Sequence, residues 1–211
     1  PIMEKKIACM LRLQDETNRR LAEDWKQRDW SFKLAAKVEA AELADHLSYK
    51  WWRLKKPDMP QARMEVVDIW HFVLSALLRD EPNKATPSLI ADTFQHAGDK
   101  RAQAQTPEEA VLFFMAATDA YGMLKAFVGL CDAVGLPFVD LYFQYVGKAA
   151  LNRFRWSNGY ADGTYVKIWD GREDNEWLTE ILNQNAASLV LEEPDDMLKE
   201  IENKLGQLYR P

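Results

Sequence analysis

Apolar residues recur at three- and four-residue intervals along almost the whole chain, and the alternating Val, Ile and Thr runs bounded by Gly that announce a sheet are missing. An all-α fold follows. The spacing predicts helices over about 3–25, 32–50, 61–79, 87–99, 107–134, 137–155 and 194–209. Proline punctuates them in "KKPDMP", "DEPNKATP", "AQTPEE" and "VGLP", and Thr106 followed by Pro107 and two glutamates makes a helix start. The 211 residues suit one helical domain, 1–211. Within it, 176–211 form a C-terminal extension whose "PDDMLKEIENKLGQLYR" reads as a capped amphipathic helix, docking on the body or at a dimer interface.

One stretch breaks the helical habit. Residues 155–175, "RWSNGYADGTYVKIWDGREDN", hold three of the nine glycines and aromatics without helical period, so a long glycine-rich loop or a loop with a short hairpin is expected. A loop of that length inside a helical protein is usually functional, and this one is too aromatic for a solvated linker.

Composition narrows the function classes. With 47% hydrophobic and 28% charged residues the chain is not disordered, and a net charge of −6 disfavours a broad nucleic-acid footprint while leaving room for a small basic phosphate site. Cys9 and Cys131 lie far apart without metal-ligand spacing, as in a reducing compartment. No apolar run approaches a membrane span, and the first thirty residues carry charges throughout. A cytoplasmic protein, bound neither to membrane nor to nucleic acid, is expected.

Two acidic pairs stand at helical spacing, Glu39 and Glu42 in "KVEAAELADHL" and Glu65 and Asp68 in "RMEVVDIWHF". Residues three apart share a helix face, so each pair projects two carboxylates together. The pairs share the midpoint 53.5, and a hairpin turning in "WWRLKKPDMP" sets Glu39 opposite Asp68 and Glu42 opposite Glu65. Four converging carboxylates repel one another unless cations offset them, and oxygen-only ligands favour Mg²⁺ or Mn²⁺. On the helical wheel Asp68 and Ser75 fall on the apolar arc with Met64, Val67, His71 and Leu78, which points Asp68 inward and leaves Glu65 at the edge. Geometry alone leaves a salt bridge and a metal both open for Asp68, and His71 reads as a hydrogen-bonded core residue or a group near the site.

On the first helix Gln14 and Asn18 interrupt the stripe of Ile7, Met10, Leu11, Leu21 and Trp25. Such amides either bond to a neighbouring helix or meet the edge of a base, and by rotating they present either polarity. Trp51 and Trp52 either stack on a base or pack under the connection. Lys148, Arg153 and Arg155 before the glycine-rich loop, with Lys167 inside it, match the chemistry of a phosphate site and equally complement a helix end.

Together "LQDETNRR", "EAAELADHLSYKWW", "EVVDIWHFVLS" and "GKAALNRFRWSNGYADGTYVKIWDGREDN" resemble the motifs of the dimeric, all-α dUTPase family, within the all-α nucleoside triphosphate pyrophosphatases. The resemblance implies a four-helix metal-binding core and a cytoplasmic homodimer, of a bacterium or a phage-infected cell, that hydrolyses dUTP to dUMP and pyrophosphate and dUDP to dUMP and phosphate. It implies Mg²⁺ on Glu39, Glu42, Glu65 and Asp68, with Glu39 as general base. It implies a base and nucleoside pocket of Gln14, Asn18, Trp51 and His71, and deoxyribose selection by Asn152 and Tyr160. Lys148, Arg155, Lys167, Asp174 and Asn175 would serve the phosphates, with the loop closing over them. The chain departs from the family at Ala149 and Trp156, where Asn and Gln are usual, which opens dCTP or a broader pyrimidine deoxynucleotide as substrate. A non-catalytic nucleotide-sensing or regulatory protein is the reading of another class.

Overall fold

The three-to-four residue periodicity becomes nine α-helices among the described residues, 2–96 and 106–211 of a computed structural model. They are α1 (Ile2–Leu21), α2 (Phe32–His46), α3 (Met59–Asp80), α4 (Pro87–His96), α5 (Pro107–Ala116), α6 (Ala120–Ala133), α7 (Phe138–Ser157), α8 (Asp174–Leu189) and α9 (Pro194–Leu208). A two-residue antiparallel ladder, β1 (Ile168–Trp169) with β2 (Arg172–Glu173), is the only sheet among them, with Trp169 opposite Arg172. Its turn holds Asp170 and Gly171 at φ of 50° and 78°, the left-handed pair that tight hairpins demand. The fold is all-α, as expected. Contacts divide the chain into two compact units, Pro1–Tyr142 and Phe143–Pro211.

The first unit is organised by α3. Asp58 accepts a hydrogen bond from the Gln61 N–H and Pro60 occupies the first turn, which starts the helix cleanly. Nearly every residue from Met64 to Leu77 is buried. Trp70 stacks on Phe127 of α6 at 4.7 Å, meets Phe94 of α4 edge-on at 5.7 Å, and directs its indole N–H to Met10 Sδ of α1 at 3.3 Å. Buried aromatic pairs of this kind contribute about 0.5–1.5 kcal/mol beyond their area. α2 packs along α3, and Thr106 with Glu109 forms the reciprocal cap that starts α5.

In the second unit α7 and α8 approach so closely at Gly147 that a Cβ there would lie 2.9 Å from Leu182 Cδ1. Past α7, Gly159 at φ 90° folds the chain back, and its carbonyl accepts from the N–H groups of Asp162, Thr164 and Tyr165 at 3.2, 3.0 and 3.3 Å. An added Cβ would collide with Thr164 Oγ1. Tyr209, at the end of α9, stacks on Tyr165, meets Phe154 and Trp169 edge-on, and accepts from the Val166 N–H with its hydroxyl. The C-terminal segment thus anchors the loop of its own unit.

Several boundaries correct the sequence reading. The single helix expected over 107–134 is two, because Ala117 is extended and the Asp119 side chain caps α6 by accepting from the Gly122 N–H. α8 lies where no helix was expected; its Asn- and Gln-rich sequence hides the Leu178, Ile181 and Leu182 stripe. α1 ends at Leu21 before a 3₁₀ turn, Trp25–Gln27, and α2 stops at His46. The start of α9 rests on Pro194 rather than on a side-chain cap. The end of the helix expected over 87–99 lies outside the described residues.

Candidate functional site

The 47–58 connection lets α2 return along α3, and the acidic pairs meet. Ligand oxygens of Glu39, Glu42 and Glu65 all lie within 4.8 Å of one another. Asp68 is near enough for its charge to act on Glu39. All four carboxylates come from α2 and α3 alone. Their burial corrects the wheel reading for Glu65, which is 9% exposed rather than at the edge, while Asp68 is half-buried. The apolar arc misled because α3 is buried on nearly every side, which leaves no polar face to orient it.

Crowding sets the protonation of the cluster. Burial first, then the Asp68, Glu42 and Glu65 carboxylates, push Glu39 up to about 8, and a hydrogen bond with Glu65 adds to the shift. Near neutral pH Glu39 thus keeps a proton in place of a cation. A divalent ion relieves the same repulsion, and an oxygen-only donor set has the chemistry that suits Mg²⁺ or Mn²⁺. His46, four residues beyond Glu42, brings Nε2 to 3.2 Å from Glu65 Oε1. The i,i+4 spacing from Glu42 was its one signal in the sequence.

In the same unit Gln14 and Asn18 of α1 are buried against α3. His71 Nδ1 lies 2.7 Å from Gln14 Oε1, Gln14 Nε2 donates to Asn18 Oδ1 at 3.0 Å, and Asn18 Nδ2 donates to Ser75 Oγ at 2.9 Å. Trp51 does not pack under the connection. It is 85% exposed, edge-on to an exposed Trp52 at 5.4 Å.

In the second unit Asp174, the first residue of α8, is fully buried and accepts both arms of the Arg155 guanidinium at 2.8 Å and the Tyr165 hydroxyl at 2.8 Å. Burial raises the Asp174 pKa, but the Arg155 hydrogen bonds and charge outweigh it and hold the carboxyl below its usual value. Burial and the Asp174 carboxylate push the Tyr165 phenol up. Arg155 Nη1 lies 3.5 Å from Asn152 Oδ1, and its guanidinium stands over the ring of half-exposed Tyr160 at 6.0 Å. Buried Lys148 donates to Asn175 Oδ1 at 3.0 Å, while Lys167 makes an exposed pair with Glu173 at 3.4 Å. Arg153 is taken by Glu202 of α9 at 2.8 Å. Tyr165, which the sequence reading passed over, sits in a stretch without period and offered no signal.

Fold and acid centre define an all-α protein with a carboxylate cluster on one helix pair. A family model described as dUTPase matches residues 6–160, well over half of the chain. The chain belongs to the dUTPase family, whose substrate is a deoxyuridine nucleotide, and membership supports a dUTP-hydrolysing function. No curated protein matches it. Among the described residues no single helix is long and apolar enough to cross a membrane.

Proposed function

We propose that this chain hydrolyses dUTP to dUMP and pyrophosphate, and dUDP to dUMP and phosphate, at the carboxylates of α2 and α3. The observation that carries the reading is the convergence of Glu39, Glu42 and Glu65 within 4.8 Å, with Asp68 beside them and Glu39 raised to about 8. When bound by these four carboxylates, Mg²⁺, or Mn²⁺ in its place, supplies the positive charge that a phosphoanhydride requires. Glu39 accepts the proton of the attacking water, as a carboxylate set beside the metal-binding acids can. Gln14, Asn18, Trp51 and His71 receive the base, and Asn152 and Tyr160 select the deoxyribose. Lys148, Arg155, Lys167, Asp174 and Asn175 serve the phosphates, Asp174 by holding the Arg155 fork. A homodimer is the proposed assembly.

Ala149 and Trp156, where the resembled family carries Asn and Gln, keep dCTP as the alternative substrate. Pyrophosphate release from dUTP, dCTP, dTTP and UTP, with and without Mg²⁺, tests both readings. Fastest turnover of dUTP, dependent on Mg²⁺, is expected. No release from any of the four overturns the enzyme reading and leaves a nucleotide-sensing role.

A further inference from the structure

Four buried polar side chains of α1 and α3 form one directed hydrogen-bond chain whose end is fixed. The Ser75 hydroxyl donates to the backbone carbonyl of His71 at 2.9 Å, and a carbonyl can only accept. With its one hydrogen used, Ser75 Oγ accepts from Asn18 Nδ2. That turns Asn18 Oδ1 toward Gln14 Nε2 and leaves Gln14 Oε1 facing His71 Nδ1. Oε1 also only accepts, so Nδ1 carries the ring hydrogen. One hydroxyl therefore sets two amide orientations and a histidine tautomer. The reversed chain, with Ser75 donating to Asn18 Oδ1, closes as well but forfeits the bond to the His71 carbonyl. None of the four residues is more than 7% exposed, so bulk water does not compensate that loss.

We infer that Ser75 is a specificity-determining positioning residue, which makes the Gln14–Asn18 row a reader of one pyrimidine edge by locking its polarity. The inference rests on the proposed role of Gln14 and Asn18 at the base. Uracil presents N–H at ring position 3 and C=O at position 4, and cytosine reverses both. Amides free to rotate serve either base; amides locked from one end serve one. Ser75 acts through Asn18 and Gln14 without meeting the base. Removal of its hydroxyl leaves Asn18 Nδ2 with an unmet donor, and the reversed polarity, which places a carbonyl there instead, becomes the better one.

The direct test is nitrogen NMR of the histidine-labelled full-length protein, free of nucleotide, at a pH where the ring is neutral, with His71 assigned by loss of its signals in His71→Gln. Hydrogen on Nδ1 is expected in the wild-type protein and a shift toward Nε2 in Ser75→Ala. Hydrogen on Nε2 in the wild-type protein overturns the inference, whether or not any nucleotide is hydrolysed. The kinetic arm compares kcat/KM for dUTP and dCTP. Ser75→Ala is expected to lower the dUTP-to-dCTP ratio about 10-fold or more, while Ser75→Thr, which keeps the hydroxyl, holds it within about 3-fold. An unchanged ratio in Ser75→Ala overturns the inference. Absence of turnover with every triphosphate would instead count against the enzyme reading, and the tautomer would then decide alone.

Discussion

His46 Nε2 lies 3.2 Å from Glu65 Oε1, which ties the last turn of α2 to the most buried carboxylate of α3. Donation from Nε2–H leaves Nδ1, buried and without a hydrogen-bond partner, as a bare ring nitrogen rather than an orphaned N–H. The contact orients Glu65 for a cation. Replacement of His46 by Phe should weaken Mn²⁺ binding about 10- to 100-fold, and Gln, which restores a donor, should recover most of it. Electron paramagnetic resonance titration of Mn²⁺ gives the affinities, and equal binding in all three proteins excludes an orienting role.

Glu39→Gln keeps the size and most hydrogen bonds of the side chain but cannot take a proton from water. Turnover should fall by about 10²- to 10⁴-fold while the dissociation constant for dUMP changes little. Steady-state kinetics and calorimetry separate the two, and comparable kcat in the variant rules out Glu39 as the base.

The raised Glu39 pKa fixes how stability of the metal-free protein responds to pH. A carboxyl that holds its proton more tightly when folded contributes stability that is fully present below its unfolded value of 4.5 and lost as pH rises through about 8. Thermal melting of the chelated protein should therefore decline from this source across that window, and Mg²⁺ should restore it. Cation binding must displace the proton. Calorimetry in buffers of different ionisation enthalpy at pH 7 should show release approaching one proton from Glu39, fading above pH 9.

How legible this site was can be read from the acids. The shared midpoint of the two pairs set Glu39 opposite Asp68 and Glu42 opposite Glu65, because an antiparallel hairpin leaves one register free and the acids marked it. Burial was not legible. Glu65 proved buried rather than at the edge because a helix surrounded by neighbours has no polar side to read. Asp174 stood out only through the family motif, and its burial was not legible, since it depends on Arg155 and Tyr165 arriving from elsewhere in the fold. The directed chain ending at Ser75 depends likewise on α1 meeting α3.

Asp174 and Arg155 form a pair in which one carboxylate is fully buried, so removal of either partner leaves an uncompensated charge. Arg155→Met should destabilise the protein by about 3–5 kcal/mol, and Arg155→Met with Asp174→Leu by clearly less. Urea unfolding followed by tryptophan fluorescence measures both. The Asp174 carboxyl, held below its usual value, contributes stability present above its unfolded value of 3.8 and lost as pH falls through the folded one.

Trp51 exposes 85% of its surface, so its loss should hardly touch stability. Stacking on a base is worth about 1–3 kcal/mol. Trp51→Ala should accordingly raise KM for dUTP about 10-fold with melting unchanged, and an unaltered KM removes Trp51 from the base pocket.

Gly159 closes the segment after α7 upon itself, with three backbone N–H groups on one carbonyl and Tyr209 packed behind. A segment folded by its own bonds has little conformational entropy left to surrender. Association at its surface would then be paced by diffusion and by charge rather than by the ordering of the loop.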